Sequence, residues 1–194
     1  MYINVFLTHN TIEIHYTSGE KRRDELGILN GNPKDEPLHY GEVLGSWAFV
    51  GANNGLISAY QAFINHAGDG DLIELLEEAV KTMKSENKQL ENILKENGIA
   101  LPPSLPERPK AKAEDIPVGA RFMDPEISGA ISINVGQALV SCSQVLGQCL
   151  REDLAMMFGK FHADKMLFGL KLLRMNKEKG WIIPPPLHTD SPSR

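Results

Sequence analysis

One phrase of the sequence occurs twice, and the two copies are offset by 82 positions. Residues 94–103 read LKENGIALPP, and residues 176–186 read NKEKGWIIPPP. In each copy a glycine is followed within a few residues by at least two prolines, which is a sequence signal for the end of a helix. The displacement that carries Gly98 onto Gly180 is called the repeat offset below. It predicts that the chain contains the same helical unit twice and that both copies end alike.

The first copy has the apolar period of two helices separated by a short breaker. Apolar residues recur at intervals of seven in the first predicted helix, 40–66: Val43, Val50, Ile57 and Ile64. The pattern resumes at Leu72 and continues until Gly98, which predicts a second helix with its own apolar face. Asp71 and Glu74 have the spacing of a capping box, so Asp71 is the predicted cap of this second helix.

The second copy repeats this pattern without a glycine or proline between its helices. Its apolar residues continue at helical spacing from Ile127 to Leu173, so these residues could by themselves form one long helix. The repeat offset places Asp153 on Asp71. We therefore predict a tight turn at 150–153 and a fourth helix that is capped by Asp153.

Neither hairpin can bury its apolar face alone, so the sequence predicts an all-α, ferritin-like four-helix bundle over 37–187, made of two duplicated helical hairpins, 39–100 and 122–183. The connector 102–121 contains five prolines and spans about 60 Å in a polyproline-like conformation. Because a helix of this length measures only about 40 Å, the connector can return along the bundle as a long crossover and leave the second and third helices parallel.

Both ends of the chain differ from the bundle. Apolar and polar residues alternate at 3–7 and 12–16, so the arm 1–36 forms either a small β-hairpin or a disordered segment. Residues 188–194 form a tail. A lone hairpin is marginally stable in water, and an ordered arm would therefore lean on the bundle or pair with another chain.

Composition limits the function more than it defines it. The net charge is −5 and the pI is about 5.7, which argues against a nucleic acid partner because no basic surface is available. The sequence begins without a signal peptide and shows no uninterrupted apolar stretch of about 20 residues. These features predict a cytoplasmic protein without a membrane partner. Cys142 and Cys149 lie too far apart on one helix to form a disulfide with each other.

The bundle lacks the motif of a ferritin-type di-iron centre. Such a centre needs a Glu-x-x-His pair from each of two helices, and no histidine follows any acidic residue at that spacing in the second or fourth helix. We therefore expect no catalytic residue, no metal and no cofactor. Metal or redox chemistry would have to use non-standard ligands, for which the sequence offers these candidates: His162, Cys142, Cys149, Glu42 and Glu126.

Two further sets of residues admit two interpretations. The first set is polar and either lines a pocket or, as we favour, occupies exposed helix faces: Asn53, Asn54, Gln61, Asn134, Gln137 and Gln144. The second set is the glycines of the first and third helices, each of which costs roughly 1 kcal/mol of helix stability relative to alanine. They indicate either close packing of these two helices, which we favour and which a subunit interface could share, or a dimer seam or ligand slot. His66, at a helix end, is expected to cap the terminal carbonyls.

Three stretches together resemble a known family: LHYGEVLGSWAFVGANNGLISAYQAFI, the LKENGIALPP phrase, and RFMDPEISGAISIN through KEKGWIIPPPL. The family is an uncharacterised ferritin-like group of spore-forming bacilli, domain of unknown function 3231, whose members often carry a provisional spore-coat label. The resemblance covers about residues 37–187. It implies a four-helix bundle and a sporulation context, and it transfers no catalytic residue to this chain.

The sequence thus favours a non-enzymatic structural or interaction protein that forms a homodimer or another self-assembly, with other coat proteins as further partners. One alternative is a metal-binding or redox protein that uses the non-standard ligands named above. The other is a small-molecule carrier with an apolar pocket beside the glycines of the bundle.

Overall fold

The computed structural model describes the backbone of two N-terminal strands and, in full, residues 36–186 and 188. The four helices are α1 (Tyr40–His66), α2 (Gly70–Glu96), α3 (Asp124–Gln148) and α4 (Glu152–Glu178). The repeat offset carries both bounds of α2 onto those of α4, as the repeated phrase predicted. The prediction of an all-α four-helix bundle is confirmed.

The repeated phrase ends α2 and α4 with the same backbone geometry. Gly98 and Gly180 have φ angles of 72° and 71°, in the left-handed region where glycine avoids the steric cost of a Cβ atom. The backbone N–H of Ile99 then donates to the Leu94 carbonyl, and that of Trp181 donates to the Asn176 carbonyl. Both helices therefore end in a Schellman-type turn before the prolines begin.

Neighbouring helices of the bundle are antiparallel. Gly68, at the end of α1, lies against Asp124 at the start of α3, and Lys179, just past the end of α4, pairs with Asp69 before α2. It follows that α2 and α3 are parallel, and the connection between them must return along the whole bundle. This is the long crossover that the sequence predicted, and it contains two short 3-10 turns, Ala113–Asp115 and Val118–Ala120.

The apolar core consists of two clusters, one in each half of the bundle's length. The cluster near the start of α2 includes Tyr60, Leu76 and Leu172, and the cluster near the start of α4 includes Phe49, Leu90 and Phe158. Phe49 packs edge-on against Phe158 and parallel to Phe161, with ring centroids 5.2 and 5.8 Å apart. All four helices contribute to the core, as the apolar stripes predicted.

Two predicted helix caps are wrong. The cap of α2 is Asp69, whose side chain accepts a hydrogen bond from the Leu72 N–H, because the helix begins earlier than the Asp71 prediction. The residue before α4 is Arg151, and its side chain makes no capping bond. Asp153 instead lies within the first turn and binds the Arg151 guanidinium.

The N-terminal strands are β1 (Ile3–Thr8) and β2 (Thr11–Tyr16), which pair antiparallel with Ile3 opposite Tyr16. They coincide with the two alternating segments of the predicted arm. Residues 17–35 of the predicted arm and the predicted boundary at residue 187 lie outside the described residues.

Candidate functional site

The crossover lies on the outer face of the α1/α2 hairpin and is held there mainly by side chains of α1. The Asn54 and Asn65 amides donate to the carbonyls of Pro103 and Pro109. From the crossover, Arg108 donates to the carbonyl and hydroxyl of Ser58. Polar side chains at regular helical spacing therefore fix an extended chain against this hairpin.

The α3/α4 hairpin has a corresponding outer face with opposite properties. We define the open face as the glycines and exposed apolar residues among those that the repeat offset places on the crossover-bearing face: Ile133, Gly136, Val140, Gly147, Met166, Leu170 and Leu173. All of them are exposed. Where the first hairpin has Asn54, Ser58 and Lys84, the open face has a glycine, a valine and a methionine. The side chains of these residues cannot hydrogen-bond an extended chain, and they expose apolar atoms to solvent.

The third helix contributes Ile133, Gly136, Val140 and Gly147 to this exposed surface. It carries no charged residue between Glu126 and Arg151. The segment Val118–Gln148 is long and apolar enough to cross a membrane by length and composition, and only 17% of its most apolar stretch is buried. The sequence analysis expected no such segment. Its interspersed Ser, Asn and Gln residues make this single segment a weak indication of a membrane span.

A buried ion pair crosses the middle of the bundle. Both carboxylate oxygens of Glu86 in α2 lie 2.8 Å from the Lys165 ammonium in α4. Asn53 of α1 donates to Glu86 and to Asn87, and the Lys165 ammonium also lies 5.3 Å from the centroid of the Phe49 ring. These contacts compensate the cost of removing two charges from water.

A hydrogen-bonded path leads from this ion pair to the crossover. The Asn87 amide, which lies beside Glu86, donates to the Asn54 carbonyl oxygen, and the Asn54 amide donates to Pro103. The sequence analysis favoured exposed positions for these polar residues. For Asn53 that interpretation is wrong, because its side chain is buried and satisfies charged and polar neighbours.

A groove runs between α1 and α3 on a different side of the bundle. Its volume is about 630 Å³. On α1 it is lined by small residues, among them Gly45, Ala48, Ala52 and Gly55, and on α3 by Asn134, Gln137, Ala138, Ser141 and Gln144. Gly45 packs closely on Val145, whereas a Cβ atom on Gly55 would meet nothing within 4 Å. The glycines of α1 therefore mark close packing on α3 at Gly45 but not at Gly55.

A second, smaller cavity of about 70 Å³ lies beneath this groove. The groove and the small cavity share the wall residues Asn53, Leu56, Asn134 and Ala138. Tyr60 and Lys165 line the deeper space. Burial raises the pKa of Tyr60 to about 12, and a hydrogen bond with Asn134 opposes this shift, so the phenol stays neutral at physiological pH.

Glu42, one of the predicted ligands, is occupied by backbone groups. Its carboxylate is fully buried and accepts hydrogen bonds from the N–H groups of Leu150 and Arg151 at 2.7 and 2.9 Å. The other oxygen accepts from the His39 N–H at 3.1 Å, and His39 caps the helix. Glu42 therefore fixes the turn between α3 and α4 from the neighbouring hairpin.

The other predicted ligands do not converge on Glu42 to form a metal site. Glu126 accepts a hydrogen bond from the Met123 N–H at the start of α3, while the half-buried His162 lies on α4. Within residues 36–186, no group of three or more His, Cys, Asp or Glu side chains has a metal-binding arrangement.

The two thiols are shielded from reaction. Cys142 is buried in the core and Cys149 is half-buried, with its Sγ 3.2 Å from the Val145 carbonyl oxygen. Burial is the main cause that raises the pKa of each thiol to about 11. Since the thiolate is the reactive form, neither cysteine is activated as a nucleophile at neutral pH.

One smaller expectation was also wrong. The His66 ring does not cap the carbonyls of α1, because its Nδ1 accepts a hydrogen bond from the Phe122 N–H of the crossover. Three glycines of α1 and α3 bear on the carrier alternative, and of these Gly51 faces Pro102 and Gly136 is exposed. Only Gly55 of the three lines the groove.

Comparison with known proteins gives a family and two close relatives. Residues 26–193 match a family described as "Protein of unknown function (DUF3231)". The chain is 53% identical over 163 residues to "Uncharacterized protein YvdQ" of Bacillus subtilis (strain 168), covering 84% of this chain and 96% of that protein. It is also similar to the crystal structure of a "putative spore coat protein" from Bacillus halodurans C-125, with 58% identity, a TM-score of 0.80, and coverage of 82% of this chain and 100% of that one.

A more distant structural likeness concerns the fold alone. A conserved hypothetical protein of Mycobacterium tuberculosis has a TM-score of 0.58 at 9% identity, covering 71% of this chain and 98% of its own. The helical arrangement is therefore found at very low sequence identity.

Proposed function

The chain belongs to the DUF3231 family, and on that premise we propose that it is a non-enzymatic structural protein that self-associates through the open face in a spore-associated layer. The spore context comes from the label of the Bacillus halodurans relative. The self-association is supported by one observation: the open face is apolar, uncharged and exposed, although its counterpart on the other hairpin is covered.

A second copy of this chain matches the open face better than the chain's own extended segments do. The crossover is held by amide and ion-pair contacts such as those of Asn54 and Lys84, and the open face has none of these groups. An isologous contact places the same surface on both partners. Such a contact would bury Ile133 and Val140 without removing any charge from water.

The architecture supports an origin by duplication of one helical hairpin. The matching bounds of α2 and α4 and the two Schellman-type ends agree with this origin. So does a reciprocal pair of contacts, in which Glu42 accepts from Leu150 and Asp124 accepts from Gly68. The repeat offset relates Glu42 to Asp124 and Gly68 to Leu150. Two hairpins joined by one long crossover also support a ferritin-like fold.

The oligomeric state tests this proposal. We expect light scattering coupled to gel filtration to give a dimer for the full chain and a monomer for Val140→Glu, because a carboxylate buried in an apolar interface is strongly unfavourable. Leu105→Glu on the crossover is the matched control, since Leu105 and Val140 are 58% and 57% exposed. A monomeric wild-type chain, or equal masses for both variants, would refute self-association through this face.

The spore context needs a separate measurement. We expect a fluorescent fusion of the full chain, produced in sporulating Bacillus subtilis, to concentrate around the forespore. A diffuse signal throughout the mother cell would contradict the spore-associated role, while self-association would still be decided by the masses.

A carrier of small molecules is the second candidate function. It is favoured by the groove between α1 and α3 and by the small cavity beneath it, which are independent of the open face.

A further inference from the structure

We propose that the α1/α3 groove binds an uncharged, elongated apolar small molecule whose hydrogen-bond donor reaches Asn53 at the floor. This site lies on a different face from the proposed self-association surface and does not depend on it. The groove volume of about 630 Å³ lies within the usual range of roughly 300–1,000 Å³ for small-molecule sites.

The lining of the groove selects against charge. None of its residues is ionisable at neutral pH, and its larger apolar side chains are those of Leu44, Phe49, Leu56 and Val145. A charged ligand would lose its hydration without gaining a counter-charge, which is costly. At the floor, the ammonium of Lys165 is already neutralised by Glu86. The site therefore favours a neutral ligand.

An acceptor at the floor suits a donor on the ligand. The Asn53 side chain lines both the groove and the small cavity. Its amide nitrogen donates to Glu86 and Asn87, while its carbonyl oxygen takes part in neither bond and is not among the buried polar atoms of the described residues that lack a partner. This oxygen can accept a hydrogen bond from a ligand alcohol, amide or amine N–H.

The rim of the groove gives the ligand a second recognition element. Gln137, Gln144 and Gln148 of α3 border the opening, and each carboxamide can both donate and accept. Gly55, on the opposite wall, leaves open space where a side chain would project. The apolar body of the ligand would lie over Gly55 and the alanines, with its polar edge toward α3.

Two dyes with the same skeleton provide the test. N-phenylnaphthylamine is neutral and carries one N–H donor, whereas anilinonaphthalene sulfonate adds a permanent negative charge. We expect fluorescence titration of the full chain to give one binding site per protomer for the neutral dye and at least tenfold weaker binding for the sulfonate. Equal affinities, or no binding of the neutral dye, would overturn the proposal.

Matched glycine variants locate the binding. Gly55→Leu fills the groove and should weaken binding of the neutral dye at least tenfold, while Gly136→Leu alters the open face and should leave it unchanged. Neither position has an atom within 4 Å of an added Cβ. Ala52→Leu, also on the groove wall, replaces Gly55→Leu if the latter does not fold. Loss of binding in Gly136→Leu alone would assign the dye to the open face and refute the groove.

Discussion

The two hairpins of this bundle share a backbone plan but use equivalent positions for opposite chemistry. Glu86 and Lys165 form the buried ion pair, and the repeat offset relates these two positions to Phe168 and Met83. Phe168 and Met83 belong to one apolar cluster. One polar and one apolar pair thus occupy equivalent places in one core. The shared backbone arrangement therefore does not require an ion pair at these positions. The side chains around Glu86 and Lys165 decide whether charged residues can be placed there.

The outer faces show the same contrast at the surface. Where polar side chains line the first hairpin, an extended chain covers it, and where apolar side chains line the second, nothing within residues 36–186 covers it. Equivalent backbone positions therefore do not have equivalent roles, and side-chain chemistry determines what each face can bind.

The largest expected effect on stability comes from removing one member of the ion pair. Lys165→Met should lower the free energy of unfolding by about 3–5 kcal/mol, because it leaves the Glu86 carboxylate buried without its partner. Urea denaturation monitored by circular dichroism measures this change. Lys171→Met is the matched control, since Lys171 pairs with Glu78 in an exposed bridge and should cost less than about 1 kcal/mol.

The double variant Lys165→Met with Glu86→Phe replaces the ion pair with the two apolar residue types found at the equivalent positions. We expect it to be more stable than Lys165→Met alone, since no unpaired charge remains. A double variant less stable than the single one would contradict this expectation. It would show that the stabilisation Asn53 and Asn87 lose without the carboxylate exceeds the gain from removing the unpaired charge.

A smaller effect distinguishes the two reciprocal turn contacts. Glu42→Ala removes a buried carboxylate from three backbone N–H groups and should cost about 1.5–3 kcal/mol, the range for hydrogen bonds to charged groups. Asp124→Ala removes one contact, to Gly68 at 2.9 Å, and should cost less than about 1 kcal/mol. Similar losses in both variants would contradict the assignment of Glu42 as the main support of the α3/α4 turn.

A further pair of variants should change stability with opposite signs in the two hairpins. The Ser128 hydroxyl bonds the Asn176 amide oxygen. The equivalent positions hold Ser46 and Leu94, and the buried Ser46 hydroxyl has no hydrogen-bond partner among the described residues. Ser128→Ala should therefore destabilise by about 1–3 kcal/mol, while Ser46→Ala should stabilise by up to about 1 kcal/mol. Thermal melts of both variants check the signs, and a loss of stability in Ser46→Ala would contradict this explanation.

The main features of the fold could be predicted because they depend on local signals. Helical apolar period indicated the four helices, and the glycines at 98 and 180 indicated the ends of α2 and α4. The parallel arrangement of α2 and α3 followed from comparing the lengths of connector and helix. The cap of α2 was misplaced because Asp69 and Asp71 are both plausible caps, and the sequence contains no signal that chooses between them.

The candidate sites were harder to predict because they depend on distances between helices. The ion pair had a detectable signal, since Glu86 and Lys165 interrupt the apolar stripes of α2 and α4 with opposite charges. The groove had none, because small residues on α1 indicate close packing just as well as an opening. Gly45 contacts Val145 of α3, whereas Gly55 has no atom within 4 Å of an added Cβ. This difference depends on the position of α3, which lies far away in sequence.

The crossover also sets a limit on growth. A molecule with two equivalent apolar association surfaces can bind further copies at both and extend into a filament, as an open heterologous contact does. Here the segment that joins the hairpins occupies one of the two faces. An isologous contact through the remaining face would be complete with two copies. The crossover, which is needed to link the hairpins, would therefore also limit assembly through these faces to a dimer. Any larger layer would have to be built through another surface of the proposed dimer.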